Sequence, residues 1–141
     1  LAAARRELAH WELDGEGALA LLILLDQIPR NIYRNSPHAF ATDPLAQAIA
    51  ARAIERRFDA ATDSELRMFF YLPFEHAEDL ALQERCVILT EALRNPDYTK
   101  YAIVHRDIIA KFGRFPHRNP VLGRKSTPEE LQFLAEGGFA G

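Results

Sequence analysis

The fold class is decided by the stretch NPDYTKYAIVHRDIIAKFG, residues 95–113. Asn95-Pro96-Asp97 closes the preceding segment, and no further glycine or proline follows until Gly113, a residue type that commonly ends helices. Four side chains in between recur at three- and four-residue spacing and share one helical face: His105, Ile108, Ile109 and Phe112. The pattern predicts a helix over Tyr98–Phe112.

Helix-start and helix-stop signals of the same kinds recur on both sides of this helix. No alternation of apolar and polar residues is long enough to predict a strand. Four local motifs predict helix starts: Asp14 with Gly15 as a turn that caps the second helix, Asp43-Pro44, Thr62 with Glu65 as a capping box, and Thr127 with Glu130 as another. Together with apolar spacing, they predict helices over residues 1–11, 16–28, 43–57, 75–93 and 128–135, and one more after Thr62.

Pro29, Pro73 and Pro116 lie about 43 residues apart and mark corners where a helix bends or stops. We therefore predict one all-α domain over residues 1–141. Its six to seven helices would form antiparallel pairs, as a tetratricopeptide-like helical repeat or a bundle.

Composition narrows the function classes. The 17 basic and 20 acidic side chains are well mixed and give a net charge of −3, which disfavours a nucleic-acid partner. The lone Cys86 cannot form an internal disulfide, which favours a reducing, cytoplasmic compartment. The apolar run from Ala18 to Leu25 is too short to cross a bilayer, so we predict no membrane partner. No pattern predicts an oligomeric state.

Two proline corners resemble each other and carry the first candidate site. In each, an apolar residue precedes proline, and arginine and asparagine follow within three positions. If helical geometry persists past Pro29, then Asp26, Arg30 and Arg34 share one face and could clamp an anion. The competing interpretation is an ion-pair ladder that fixes a helix corner. The predicted ligand-binding residues are Asp26, Arg30, Asn31, Arg34, Arg114, His117, Arg118 and Asn119.

A second candidate site lies at Glu75, His76 and Asp79, whose three- and four-residue spacings predict one helical face. Two carboxylates and an imidazole suit acid/base chemistry. The paired histidines of zinc peptidases are missing, so we predict no metal, and no motif predicts a cofactor. His105 is a further catalytic candidate because of its proximity to the second corner. The chain has no Gly-x-Ser-x-Gly elbow and no Walker loop.

Five blocks of the chain are similar to the signature blocks of the bacterial domain of unknown function 924 family, and together they span nearly its whole length. The blocks are 25–34, 40–46, 72–79, 105–119 and 122–130. The resemblance implies an all-α, tetratricopeptide-like fold and favours one site formed by the motif residues, but it implies no substrate. Members of that family usually begin with a further segment rich in aspartate, phenylalanine and tryptophan, so we expect this chain to lack an N-terminal segment.

Two functions remain open at this point. One is a binding module whose corner arginines capture a carboxylate or phosphate on a small molecule or peptide. The other is a small hydrolase in which Glu75, His76 or Asp79 handles protons or a metal. If these side chains line one cavity, a ligand site gains support; separate pairs between helices would argue against both.

Overall fold

Helices make up all the regular structure of residues 1–141 in a computed structural model of the chain, which confirms the all-α class. The elements are α1 (Gly15–Leu22), α2 (Ile28–Ile32), α3 (Asp43–Glu55), α4 (Ser64–Glu75), α5 (Leu80–Ala92), α6 (Pro96–Phe112), α7 (Asn119–Leu122) and α8 (Pro128–Ala135). A π-helical turn, Ile23–Gln27, joins α1 to α2 in one continuous helical run. Three 3₁₀ turns lie at Ala9–Leu13, Pro37–Ala39 and Pro116–Arg118.

Several helix ends follow the predicted signals. The Asp14 carboxylate caps α1 by accepting from the Gly17 N–H at 2.7 Å. Gly113 ends α6 with φ 73°, the left-handed conformation that glycine adopts without strain. Thr127 and Glu130 form the predicted capping box of α8.

The predicted first helix over residues 1–11 is wrong. This segment consists of turns that lead into the 3₁₀ turn Ala9–Leu13, and Arg6 adopts a left-handed φ of 65° that interrupts any helix. The Trp11 carbonyl packs so closely on Gly17 that a Cβ there would clash with it. Tertiary packing therefore shapes this end of the chain.

Two predicted caps are also wrong. Thr62 donates its hydroxyl to the Phe58 carbonyl at 2.8 Å, and α4 begins at Ser64 without a side-chain cap. The Asp43 carboxylate does not cap α3, because it forms an ion pair with Arg30.

Pro73 does not interrupt its helix: α4 runs through it to Glu75. Proline removes only one N–H from the helical ladder, and α4 is held by buried Phe70, Tyr71 and Phe74 around that point. As a result α5 starts at Leu80 and not at Glu75, which changes the geometry of the second candidate site.

The main core is formed where α1, α3, α4 and α5 meet, and helices α3 to α6 each pack on the next in the chain. Its largest fully buried side chains include Leu21, Leu25, Ile49, Phe70 and Phe74. A smaller cluster of Ile108, Ile109 and Phe115 anchors the C-terminal region to α6. The packing agrees with consecutive helix pairs, and the tetratricopeptide-like arrangement stays a prediction.

None of the helices combines the length and apolarity needed to cross a lipid bilayer. Cys86 is a free, buried thiol in the core. A cytoplasmic location stays a prediction.

The helical run passes Pro29 because the backbone rearranges just before it. The Ile28 N–H bonds to the Ile23 carbonyl, five residues back, which defines the π turn. Pro29 has no N–H for the Leu25 carbonyl, and the Thr42 hydroxyl donates to that oxygen instead, at 2.6 Å. The predicted bend at Pro29 is thus replaced by a π turn, and Asp26 lies within it.

Replacing Thr42 with valine keeps the side-chain shape but removes this donor. We expect Thr42→Val to lower the free energy of unfolding by about 1–2 kcal/mol, because a buried carbonyl loses its partner. Urea unfolding measures the change. Thr99→Val is the control, since the Thr99 hydroxyl makes only a 3.5 Å contact with Asn95; an equal loss in both variants would contradict the role of Thr42.

Candidate functional site

Both proline corners open on one cavity of about 650 Å³, here called the Arg/His cavity. It lies beside α2, the 3₁₀ turn Pro37–Ala39, the start of the α4–α5 connection, α6 and the 3₁₀ turn Pro116–Arg118. Its polar side chains include Arg30, Arg34, His76, His105, His117 and Arg118. Its aromatic walls are Phe40, Phe115 and Phe139.

Arg30 is held from within the protein. Its guanidinium donates to both oxygens of buried Asp43 at 2.8 Å and to Asp26 Oδ1 at 3.2 Å. Burial alone would lower the pKa of Arg30, but the bonds to Asp43 and Asp26 raise it. Asp43 therefore already occupies the N–H edge of the Arg30 guanidinium, which an anion clamp would need for its ligand.

Asp26 positions His76. The carboxylate is 1% exposed, and its Oδ1 lies 2.8 Å from His76 Nδ1. Burial would raise the pKa of Asp26, but His76 and Arg30 lower it below its usual value. An ionised carboxylate only accepts hydrogen bonds, so Nδ1 carries the imidazole proton in this pair. In neutral His76, Nε2 is then left as the free base of a side chain that lines the cavity.

Arg118 is the least compensated buried cation of the cavity. Only 6% exposed, it lies between Phe40 and Phe115, with its guanidinium carbon 4.4 and 4.6 Å from the ring centroids. It donates to the His76 carbonyl at 2.9 Å, whereas the carboxylates of Asp43 and Glu78 are 3.9 and 4.0 Å away. Its Nε has no partner. Burial, followed by the charge of Arg30, lowers the pKa of Arg118 to about 10.

The other two histidines of the cavity, His105 and His117, are neutral and can each donate and accept a hydrogen bond. Burial lowers the pKa of both His105 and His117 to about 4. His105 Nδ1 lies 2.7 Å from the Tyr101 carbonyl, so that nitrogen carries the proton. Both rings pack against Phe139, with centroids 4.5 and 5.4 Å apart.

Three residues of the predicted ligand site lie elsewhere. Arg114 donates to both oxygens of Glu130, at 2.9 and 2.7 Å, and holds the pKa of that carboxyl at about 2. Buried Asn119 donates to Ser126 and to the same carboxylate. Exposed Asn31 bonds to the Gln27 carbonyl. These contacts stabilise the corners, and none of the three side chains lines the Arg/His cavity.

The predicted common face of Glu75, His76 and Asp79 is wrong, because α4 extends past Pro73. Glu75 is the last residue of α4, His76 follows it, and Asp79 caps α5 by accepting from the Leu82 N–H at 3.0 Å. Only His76 of the three lines the Arg/His cavity, and its carboxylate partner is Asp26.

Sequence reasoning missed two carboxylates that organise the site. The pattern around Asp43 predicts a helix cap, and nothing in it points to an arginine thirteen residues earlier. Glu78 accepts from the Phe115 N–H at 2.7 Å and binds Arg124 through both oxygens, at 2.8 and 3.1 Å. These contacts fix the 3₁₀ turn that carries Arg118.

No group of three or more histidine, cysteine, aspartate or glutamate side chains is arranged to hold a metal ion.

A known protein family matches nearly the whole chain. A family model described as "Bacterial protein of unknown function (DUF924)" matches residues 1–138. The chain belongs to DUF924. This confirms the resemblance carried by the five sequence blocks.

A solved structure is similar to this DUF924 chain throughout. It is described as a protein of unknown function from Agrobacterium tumefaciens, with 54% sequence identity and a TM-score of 0.93. The match covers 96% of this chain and 77% of that one. The search of curated proteins returned no match.

Glu75 has an unusual ionisation that can be tested through stability. Burial and the neighbouring Asp26 charge raise its pKa from 4.5 to about 7. A raised pKa contributes stability that is complete below pH 4.5 and lost as the pH rises through 7. We expect Glu75→Gln, which is neutral at every pH, to gain about 2–3 kcal/mol relative to the wild type between pH 4.5 and pH 8.

Urea unfolding of both proteins at four pH values between 4.5 and 8 measures this difference. Glu65→Gln, at an exposed position of the same helix, is the control and should show no such trend. A difference between Glu75→Gln and the wild type that stays constant with pH would contradict the assignment.

Proposed function

We propose that this DUF924 chain binds a small anionic molecule, or the anionic end of a peptide, in the Arg/His cavity. The observation that carries the proposal is Arg118, a buried cation without a carboxylate within hydrogen-bonding distance. Burying a charge is unfavourable unless a counter-charge accompanies it, and Arg30 already takes the nearer contacts of Asp43. An anion in the cavity would supply what Arg118 lacks.

Arg34 supports the same proposal. It lies at the exposed margin of the cavity and forms no ion pair within the chain. Two guanidiniums at different depths suit a carboxylate or phosphate, which they bind in a planar, bidentate manner. The aromatic walls and neutral imidazoles would contact the organic body of the ligand. A volume of about 650 Å³ is in the range of small-molecule sites.

Anion binding can be tested with inorganic phosphate and citrate as probes, by following amide NMR shifts during titration. We expect Arg34→Gln to weaken binding by about three- to tenfold, as for one exposed charge contact of about 1 kcal/mol. Its melting temperature should be unchanged, because Arg34 makes no internal bond.

Arg57→Gln is the matched control, since Arg57 is exposed, makes no ion pair and does not line the cavity. Arg118→Lys keeps the charge but loses the planar fork, and should also weaken binding. If both cavity variants bound the probes as tightly as the Arg57 variant, the anion site would be ruled out.

A second candidate function is favoured by the 2.8 Å contact between Asp26 and His76. We propose that His76 Nε2 takes a proton from a water molecule as that water attacks an ester, amide or phosphoryl group of a bound anion. Asp26 would keep the ring oriented and stabilise its protonated form, and the proton would pass on to the leaving group. This version replaces the predicted Glu75, His76 and Asp79 trio with Asp26 and His76.

A panel of p-nitrophenyl esters and phosphates tests the hydrolase. Any turnover that belongs to this site should fall by about 100-fold or more in His76→Gln, since the variant has no base. His10→Gln, at an exposed position, is the control. Turnover that is absent, or equal in the two variants, would leave the chain as a binding module alone.

A further inference from the structure

A second, smaller cavity of about 270 Å³ lies between α4 and α6. We call it the Glu75 cavity. Three aromatic side chains line it, Phe69 from α4 and Tyr98 and Tyr101 from α6. Two carboxyl groups also line it, the exposed Glu65 and the buried Glu75. No arginine or lysine lines this cavity.

Glu75 stands apart from most other buried carboxylates of the chain. Asp26, Asp43 and Glu130 each contact an arginine. Glu75 is 5% exposed, forms no ion pair, and its Oε1 is buried without a hydrogen-bond partner. A carboxylate in this position is unfavourable unless a positive charge comes from outside the chain.

We propose that the Glu75 cavity binds a small organic cation, either an ammonium or a quaternary ammonium group. Glu75 provides the counter-charge, and the faces of Phe69, Tyr98 and Tyr101 surround the cation. Aromatic rings attract cations through the negative charge density of their faces, and aromatic walls with a carboxylate are suited to alkylated ammonium groups. The site goes beyond the proposed anion binding, because it uses an adjoining cavity, which shares only His105 with the Arg/His cavity, and the opposite charge.

The pKa of Glu75 lies between pH 6 and 8, unlike those of the neighbouring groups whose pKa is shifted. Asp26 faces it as a carboxylate whose pKa is lowered, His105 has a pKa of about 4, and burial raises the pKa of the Cys86 thiol well above its usual value. Glu65 is exposed on the same helix, and His76, the next residue, is bonded to Asp26. Burial raises the pKa of Glu75 to about 7, as expected for a carboxyl without a cation. A bound cation would displace the proton.

Titration with tetramethylammonium chloride, followed by the amide NMR shifts of Phe69 and Tyr101, tests the site, with equal sodium chloride as the salt control. Affinity should rise about tenfold from pH 6 to pH 8, because the ionised fraction of Glu75 rises by that factor around a pKa of about 7. tert-Butanol, a neutral molecule of similar shape, should bind more weakly and with no pH dependence.

Glu75→Gln should weaken tetramethylammonium binding at pH 8 by about tenfold or more and abolish its pH dependence. Glu84→Gln, at an exposed position on α5 that does not line the cavity, is the matched control and should retain both. Tyr101→Leu, at an exposed position, should weaken binding by about two- to fivefold, the expected loss of one cation–aromatic contact. This variant and the pH dependence decide the question if the Glu75 variant does not fold.

Equal binding by the wild type and Glu75→Gln would overturn the proposal, as would pH-independent binding or tert-butanol that binds as well as the cation. Loss of binding in Glu65→Gln but not in Glu75→Gln would show that the exposed carboxylate makes the contact, and would also overturn the proposal. Phosphate titrations of the same Glu75 variant should be unaffected, so failure of the cation site leaves the anion site standing.

Discussion

The site depends on one carboxylate, Asp43, and on the ring of contacts that it closes. Asp43 binds Arg30 through both oxygens, Arg30 reaches Asp26, and Asp26 holds His76. The His76 carbonyl accepts from Arg118, whose guanidinium returns to within 3.9 Å of Asp43. This ring ties together the α1–α2 run, the start of α3, the residue after α4 and the 3₁₀ turn Pro116–Arg118.

A ring of buried charges is stable only when each charge has a partner, because desolvation of an unpaired ion is far more costly than the gain from one good contact. Four members of the ring are two arginines and two aspartates, but the contacts are uneven. Arg30 has short bonds on both sides, whereas the hydrogen bond of Arg118 goes to a carbonyl and its nearest carboxylates stay 3.9 and 4.0 Å away. The cavity therefore combines a rigid scaffold with one buried cation that is incompletely paired, and the proposed anion site rests on this difference.

The sequence predicted what depends on local chemistry. The caps at Asp14 and Thr127, the end of α6 at Gly113, and the nearness of Arg30 to Asp26 are all set within one turn of helix. The sequence did not predict contacts between residues that are distant along the chain. Asp43 has the pattern of a helix cap, but in the fold it binds Arg30. Pro73 has the pattern of a helix break, but the buried aromatic residues of α4 stabilise the helix around it. That error also misplaced Glu75, whose unpaired carboxyl only the folded chain makes visible.

Asp43 and Arg30 act as one buried pair that organises the cavity. A double-mutant cycle with Asp43→Asn, Arg30→Gln and the double variant, measured by urea unfolding, tests this pairing. We predict a coupling free energy of about 1.5–3 kcal/mol, because either single change leaves a buried charge without its partner and the double change leaves neither. A coupling below about 0.3 kcal/mol would show that the two side chains act independently and that the pair does not organise the cavity.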